Sequence, residues 1–193
     1  MNTIKTRYEY RQEINKSIFI GISIPVLTKE DVIKELNAVK QKYPNATHYC
    51  YAYALGDKGD DLKFYDDGEP SNTAGIVIYN VIKNKELTNI LIVVVRYFGG
   101  VLLGAGGLVR AYSSSASGAV IDSNITEVKY YTKLEFEFDY SFTTLILKLM
   151  QNYKQLSSSY LEKVTLSYEI EVSEVTPLKD RLISLTNGSI KFN

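Results

Sequence analysis

Residues 90–121 read ILIVVVRYFGGVLLGAGGLVRAYSSSASGAVI, and this stretch decides the fold of the surrounding chain. Its first six residues, Ile90 to Val95, form an apolar run that is too short to cross a bilayer and is typical of a strand buried on both faces. We expect a central strand of the parallel type. The glycines that follow allow sharp turns and close backbone approach, and a helix is predicted after them. These glycines are Gly99, Gly100, Gly104, Gly106 and Gly107.

The segment Gly99–Gly107, here called the glycine loop, is a candidate anion-binding site. Free N–H groups and the positive end of the helix dipole meet where the helix starts, and the guanidinium of Arg96 or Arg110 can add charge. The alternative is architectural: the glycines permit close packing, and both arginines pair with carboxylates. No Lys-Ser or Lys-Thr follows the glycines, and the dinucleotide-binding spacing fails after its second glycine. Both common nucleotide-binding motifs are therefore excluded.

The composition is that of an ordinary globular protein. The 193 residues are 45% apolar and 23% charged, with 22 basic and 22 acidic side chains. Divided after Thr132, the chain carries 15 basic and 14 acidic residues and then 7 and 8, so neither part has the basic excess of a dedicated nucleic-acid binder. One Cys excludes a disulfide within the chain, and one His argues against zinc. We predict no metal, no cofactor, no membrane span, no signal peptide and a cytoplasmic location.

The only histidine and the only cysteine lie on one predicted strand. The pattern alternates from Ala46 to Leu55, so His48 and Cys50 share a face with small alanines. A Cys-His pair can supply a thiol nucleophile, but these two lie side by side and no orienting third group is evident. The favoured interpretation is a buried thiol and a hydrogen-bonded histidine beside a cleft.

A further candidate is the turn that carries Asp66, Asp67 and Glu69, here called the acidic turn. A glycine within it and a proline after it constrain the backbone so that the three carboxylates are presented together. They can hold a hard cation such as magnesium or serve as a general acid and base. The favoured alternative is that they accept local backbone N–H groups and pair with the arginines named above. A residue among Ser71–Thr73 is expected to cap the next helix.

A new pattern begins near Thr132, where apolar and acidic residues alternate as in a half-exposed strand. From there the periodicities predict the order strand, helix, strand, strand, helix, strand, with Ser141 and Ser173 at the two helix starts. This order is typical of ferredoxin-like domains. We therefore expect an α+β protein of two domains, residues 1–132 and residues 133–193.

Three stretches agree, in order and spacing, with one family. They are HYC at 48–50, DDGEP with TAG at 66–75, and VVVRYFGGVLLGAGGLVRAY at 93–112, and KSIF at 16–19 is similar to a short N-terminal motif. The sequence resembles the IMPACT family, in its bacterial YigZ-like branch. The likeness is strong over roughly residues 1–130, whereas the remainder agrees in length and pattern only.

The resemblance implies an N-terminal α/β sandwich like the second domain of a small-subunit ribosomal protein, and a C-terminal domain similar to domain V of elongation factor G. It also implies a role near translation, because eukaryotic relatives regulate translation; the bacterial branch has no settled activity. The sequence departs from the family at Tyr65, Asn72 and Ile76-Val77, where Ser, Gly and Lys-Pro are usual. The missing lysine weakens a phosphate-binding role for the acidic turn.

We favour a binding protein over an enzyme. In this hypothesis the chain contacts a translation-related protein or RNA through the glycine loop and the acidic turn, with an anion at the loop. The alternative is a small enzyme whose cleft, with His48, Asp67 and Arg96, takes a phosphate- or carboxylate-bearing substrate. No set of nucleophile, base and orienting group can be named from the spacing, which places the enzyme second.

Overall fold

The computed structural model describes every residue, Met1–Asn193, and the chain divides into two compact units, Met1–Val128 and Lys129–Asn193. Unit 1 has an apolar core on each face of its main sheet, and unit 2 has one core of its own and one sheet. The division lies just before the boundary that the sequence predicts at residue 132. None of the helices in either unit is long and apolar enough to span a membrane.

Unit 1 contains seven strands and three helices. They are β1 (Asn2–Ile4), β2 (Tyr8–Ile14), β3 (Ser17–Pro25), α1 (Lys29–Lys42), β4 (His48–Leu55), β5 (Asp61–Tyr65), α2 (Gly75–Asn84), β6 (Ile90–Tyr97), α3 (Gly104–Ala119) and β7 (Ile125–Glu127). Strands β1 and β7 form a small sheet of their own. The other five form one sheet in the order β2-β3-β6-β4-β5.

Strand β6 is the central strand of this sheet, as its apolar run predicts, but the prediction of a parallel strand is wrong. Both of its neighbours, β3 and β4, run antiparallel to it. All six residues from Ile90 to Val95 are completely buried, because α2 and α3 cover one face of the sheet and α1 covers the other. An apolar run reports burial on two faces, and it contains no information on strand direction.

Strand β4 divides its side chains between the two faces of the sheet. Cys50, Ala52 and Ala54 face the core formed with α2 and α3, whereas Tyr53 and Leu55 face the core under α1. The small residues leave room for α2 and for the acidic turn to approach the sheet closely. Strand β4 and the end of β6 thereby become the floor on which the candidate site is built.

Helix α1 begins with a capping box. The Asp31 N–H donates to the Thr28 hydroxyl at 3.1 Å, and the Thr28 N–H donates back to the Asp31 carboxylate at 3.0 Å. This reciprocal pair satisfies two of the N–H groups that a helix start leaves free.

Unit 2 contains four strands and two helices in the order that the sequence predicts. They are β8 (Tyr131–Phe138), α4 (Thr143–Met150), β9 (Lys154–Tyr160), β10 (Val164–Glu171), α5 (Val172–Leu185) and β11 (Lys191–Phe192). The strands form one antiparallel sheet in the order β11-β8-β10-β9. A 3-10 turn at Tyr140–Phe142 precedes α4, so the expectation that Ser141 caps this helix is wrong.

Candidate functional site

Asp66, at the start of the acidic turn, supplies the cap of helix α2. Its Oδ1 accepts the N–H groups of Ala74 at 3.1 Å and Gly75 at 2.8 Å, and its Oδ2 accepts the Asn72 N–H at 3.2 Å. The expected cap within Ser71–Thr73 is therefore wrong. A carboxylate placed before the turn reaches the free N–H groups directly, and its negative charge suits the positive end of the helix dipole.

Asp67 fastens the acidic turn to strand β4. Its Oδ2 accepts the backbone N–H of Tyr49 at 2.7 Å, and its carbonyl oxygen lies 2.8 Å from Nδ1 of His48. Since a carbonyl can only accept, Nδ1 of His48 carries a proton and donates it to this oxygen. The neighbouring Cys50 Sγ donates to the carbonyl of Asp66 at 3.0 Å. His48, Cys50 and the acidic turn therefore lie in direct contact.

Glu69 forms a buried ion pair with Arg96. Arg96 Nη1 donates to Glu69 Oε1 at 2.6 Å, and the two side chains are 6% and 3% exposed. The same oxygen accepts the hydroxyl of Tyr112 at 2.7 Å and lies 3.8 Å from His48 Nε2. Pairing and hydrogen bonds are what allow two charges to remain in an interior. Arg96 still has a buried Nε with no partner in the protein.

The buried thiol of Cys50 is not an activated nucleophile. Burial raises the pKa of Cys50 well above its ordinary value of 9.0, and the nearby carboxylates of Glu69 and Asp67 act in the same direction. Burial also raises the pKa of Tyr112, with which Cys50 shares a hydrogen bond of 3.3 Å. Both groups remain protonated at neutral pH, so neither offers a thiolate or phenolate for nucleophilic attack.

The glycine loop connects strand β6 to helix α3. At Gly99 a Cβ would lie 2.0 Å from the carbonyl carbon of Lys16, so only glycine fits beside the β2–β3 turn. Gly104, the first residue of α3, has a φ of 68°, a conformation that favours glycine. The remaining glycines of the predicted set are Gly100, also with positive φ, and Gly106 and Gly107 in the first turn of α3. No side chain caps the N–H groups at this helix start.

The structure separates the two predicted arginines. Arg96 is buried and paired with Glu69, whereas Arg110 is exposed on α3 and forms no ion pair. The guanidinium of Arg110 lies over the first turn of its own helix, where its Nη1 is 3.7 Å from the position of a Cβ at Gly106. Binding of an anion at this loop stays a prediction.

A cleft of about 370 Å³ opens between the acidic turn and the glycine loop. His48, Glu69 and Arg96 contribute its polar floor, whereas Cys50, Asp66 and Asp67 do not line it. The other lining residues are Thr47, Pro70, Phe98, Leu102, Leu103, Gly104, Ala105 and Leu108. The five predicted catalytic candidates are thus divided. His48 and Glu69 line the cleft, whereas Cys50, Asp66 and Asp67 hold the turn in place.

Sequence reasoning missed the apolar rim of this cleft and the role of Tyr112. Phe98 is 45% exposed and Leu102 is 86% exposed, with Val101 between them also exposed. The sequence signal was three successive apolar residues, at positions 101–103, enclosed by glycines and without any helical or strand period. No three His, Cys, Asp or Glu side chains converge as ligands for a metal ion.

Comparison with known proteins places these features in one family. Residues 15–120 match the Impact N-terminal domain, and residues 137–189 match a domain of unknown function, DUF1949. The chain is 35% identical over 188 residues to the IMPACT family member YvyE of Bacillus subtilis, covering 96% of this chain and 87% of that protein. It is 31% identical over 185 residues to the IMPACT family member YigZ of Escherichia coli, covering 94% and 91%.

Two further similarities extend this result. Protein IMPACT of Oryctolagus cuniculus is 31% identical over 116 residues, which covers 58% of this chain and 36% of that protein. A crystal structure described as that of a hypothetical protein superposes with a TM-score of 0.67 at 29% identity, covering 99% of this chain and 95% of the other. The first domain match and the long relatives agree on one assignment: the chain belongs to the IMPACT family.

Proposed function

We propose that this protein is a non-enzymatic binding protein of the translation apparatus, located in the cytoplasm, which docks a partner protein on the surface around the cleft. This docking surface consists of Phe98, Val101 and Leu102 and the mouth of the cleft beside them. One observation carries the proposal. The groups that could perform chemistry are engaged in internal hydrogen bonds, while the apolar side chains of the glycine loop are exposed.

The chemistry of this surface favours a protein partner over RNA. Exposed apolar side chains beside a cleft are typical of protein-binding sites. Non-specific RNA binding needs several phosphate contacts from Lys and Arg, and the lining of the cleft supplies one arginine, which Glu69 already neutralises. RNA binding is therefore the outcome that the experiment below has to distinguish.

The link to translation is supported by kinship. A relative bears the name Protein IMPACT, and the resemblance of the motifs to that family implies a regulatory role in translation. We also propose that unit 1 is similar to the second domain of a small-subunit ribosomal protein. Unit 2, whose order is βαββαβ, is proposed to be a ferredoxin-like domain similar to domain V of elongation factor G. Domains of this kind suit a protein that contacts ribosomal particles or translation factors.

The alternative, an enzyme that uses the cleft formed by His48, Asp67 and Arg96, is less well supported. Asp67 does not line the cleft, and its carboxylate accepts a backbone N–H. Arg96 is held by Glu69, and the nearest thiol is buried and protonated. A nucleophile with a positioned base is therefore missing from the floor.

Site-specific photo-cross-linking tests the proposal. A photo-cross-linking residue in place of Leu102 is expected to capture a ribosomal protein or a translation factor in extracts of the producing cells. The matched control is the same residue in place of Leu161 in unit 2, which is 79% exposed. Mass spectrometry of nuclease-treated samples identifies the adduct.

The outcomes are distinct. A translation protein captured from position 102 and not from position 161 supports the proposal. Adducts that disappear on nuclease treatment would replace it by RNA binding, and equal capture from both positions would contradict a defined docking surface.

A further inference from the structure

We propose that the cleft binds an aliphatic residue that carries a free α-carboxylate and an adjacent N–H donor. This chemistry belongs to the C-terminal residue of a protein chain and to a free aliphatic amino acid. The inference rests on the proposed function, because it concerns the same surface and specifies what that surface recognises.

Arg96 lines the cleft, and one edge of its guanidinium has no partner within the chain. Glu69 takes only the Nη1 donor, so that Nε and Nη2, which form one edge of the planar group, have no protein partner. A buried donor without a partner destabilises the folded state, which argues for a partner that the chain does not supply. A carboxylate binds this edge of a guanidinium with two parallel hydrogen bonds.

Glu69 offers the complementary acceptor. Its Oε1 receives Arg96 and Tyr112, whereas its Oε2 accepts no hydrogen bond. A ligand with a carboxylate alone would leave this oxygen beside a like charge. A ligand whose carboxylate lies next to an N–H group satisfies both the free guanidinium edge and the free Oε2.

The charge of the floor favours a single negative charge over phosphate. The positive Arg96 and the negative Glu69 cancel. The remaining positive contribution is the start of helix α3, where Gly104 and Ala105 line the cleft and no side chain caps their N–H groups. The positive end of this helix dipole amounts to roughly half an elementary charge. That charge suits one carboxylate and leaves the second charge of a phosphate dianion uncompensated.

The walls and the size of the cleft fit an aliphatic side chain. The walls are formed by Pro70, Leu102, Leu103 and Leu108, with Phe98 at the mouth. A volume of about 370 Å³ is at the lower end of the range of small-molecule sites, roughly 300–1,000 Å³. A single residue with its carboxylate is the natural occupant.

Calorimetric titration of the full chain tests this inference with four probes. They are N-acetyl-L-leucine, which represents a chain end, free L-leucine, N-acetyl-L-leucinamide, which lacks the carboxylate, and inorganic phosphate. We expect N-acetyl-L-leucine or L-leucine to bind, and the stronger of the two identifies the source. The amide is expected to bind about tenfold more weakly or worse, because it loses a charge-assisted pair of hydrogen bonds.

Two variants keep the inference falsifiable. Ala105→Phe fills the cleft from an exposed position and is expected to abolish binding, whereas Ser117→Phe, exposed on the same helix outside the cleft, is expected to leave it unchanged. Three results would overturn the inference: binding that survives Ala105→Phe, an affinity for the amide equal to that for the acid, or an affinity for phosphate equal to that for either leucine probe. The absence of binding by every probe would also overturn it. A null titration with a successful cross-link from position 102 leaves the proposed function standing, whereas the reverse pattern contradicts that function and retains the ligand site.

Discussion

Arg96 and Glu69 show how one residue pair determines what the candidate site can do. The sequence places an arginine at the end of a buried strand and a glutamate on a constrained turn, and their pairing was one of the two alternatives that it left open. Which alternative holds depends on the distance between strand β6 and the acidic turn, and this distance is a property of the packed unit. The hydroxyl of Tyr112 on helix α3 donates to Glu69. The sequence could not identify this tyrosine as part of the site, because a buried tyrosine in a helix is ordinary.

The first prediction concerns this buried pair. Arg96→Ala is expected to lower the free energy of unfolding by about 3–5 kcal/mol, because it leaves the charge of Glu69 buried without its partner. Urea denaturation of unit 1 measures the change. As a control, Lys85→Ala removes an ion pair with Asp122, whose side chain is 88% exposed, and is expected to leave stability nearly unchanged. Equal effects of the two variants would show that the buried pair is not structural.

The second prediction concerns alkaline pH. Burial raises the pKa of both Cys50 and Tyr112 above their ordinary values of 9.0 and 10.0. Above about pH 9 the unfolded chain loses these protons while the folded unit keeps them, so stability is full below that pH and falls as the pH rises, by at most about 1.4 kcal/mol per unit for each group.

Unfolding measured between pH 7 and pH 10.5 checks this loss. The double variant Cys50→Ala, Tyr112→Phe is expected to show a shallower decline than the natural sequence, whatever its stability at neutral pH. The tyrosines elsewhere titrate equally in both proteins, so identical slopes would be evidence against the assigned burial effect.

At the scale of elements, strand β6, the glycine loop and helix α3 form the structural centre of unit 1. The sequence predicts the buried strand, the glycines and the following helix, because each has a local signal. It does not reveal that β6 is antiparallel to both neighbours, since burial on two faces is common to both arrangements. The cap of α2 was also missed, because the carboxylate that fills this role lies eight residues before Ala74, outside the usual spacing.

The third prediction compares two glycines of the loop. Gly99→Ala is expected to destabilise unit 1 by more than about 2 kcal/mol, because the new Cβ would meet the Lys16 backbone at 2.0 Å. Gly100→Ala meets no atom within 4 Å and is expected to cost about 1–2 kcal/mol from its positive φ alone. Urea denaturation measures both variants. A larger effect at Gly100 would contradict the described packing of the loop.

At the scale of the whole molecule, the chain consists of two units whose cores are separate. The element order of unit 2 follows from its periodicities, but its first strand begins at Tyr131, before the alternation becomes regular at Leu134. The three extra residues, Tyr131 to Lys133, are held by pairing with strand β10, and a largely polar strand end of this kind leaves no hydrophobic signal.

The fourth prediction follows from this boundary. We propose that the fragment 129–193 folds alone and is more stable than the fragment 133–193, because the shorter fragment loses the pairs of Tyr131 and Thr132 with β10. The shorter fragment also loses the carbonyl of Tyr130, which accepts the Val172 N–H at 2.8 Å. Thermal unfolding followed by circular dichroism compares the two. Equal thermal midpoints of the two fragments would place the domain boundary at residue 132 instead.

The central claim is that the acidic turn and Arg96 build a scaffold and that the apolar rim of the cleft docks a translation partner. Co-sedimentation of the purified chain with ribosomal particles tests it most directly, with Leu102→Ser compared with Leu161→Ser, an equally drastic change of an exposed leucine in unit 2. The account predicts that the Leu102→Ser variant no longer co-sediments with ribosomal particles, although its thermal midpoint is unchanged. The Leu161→Ser variant is expected to co-sediment like the natural sequence. Sedimentation of both variants, or loss of Leu161→Ser alone, would contradict it.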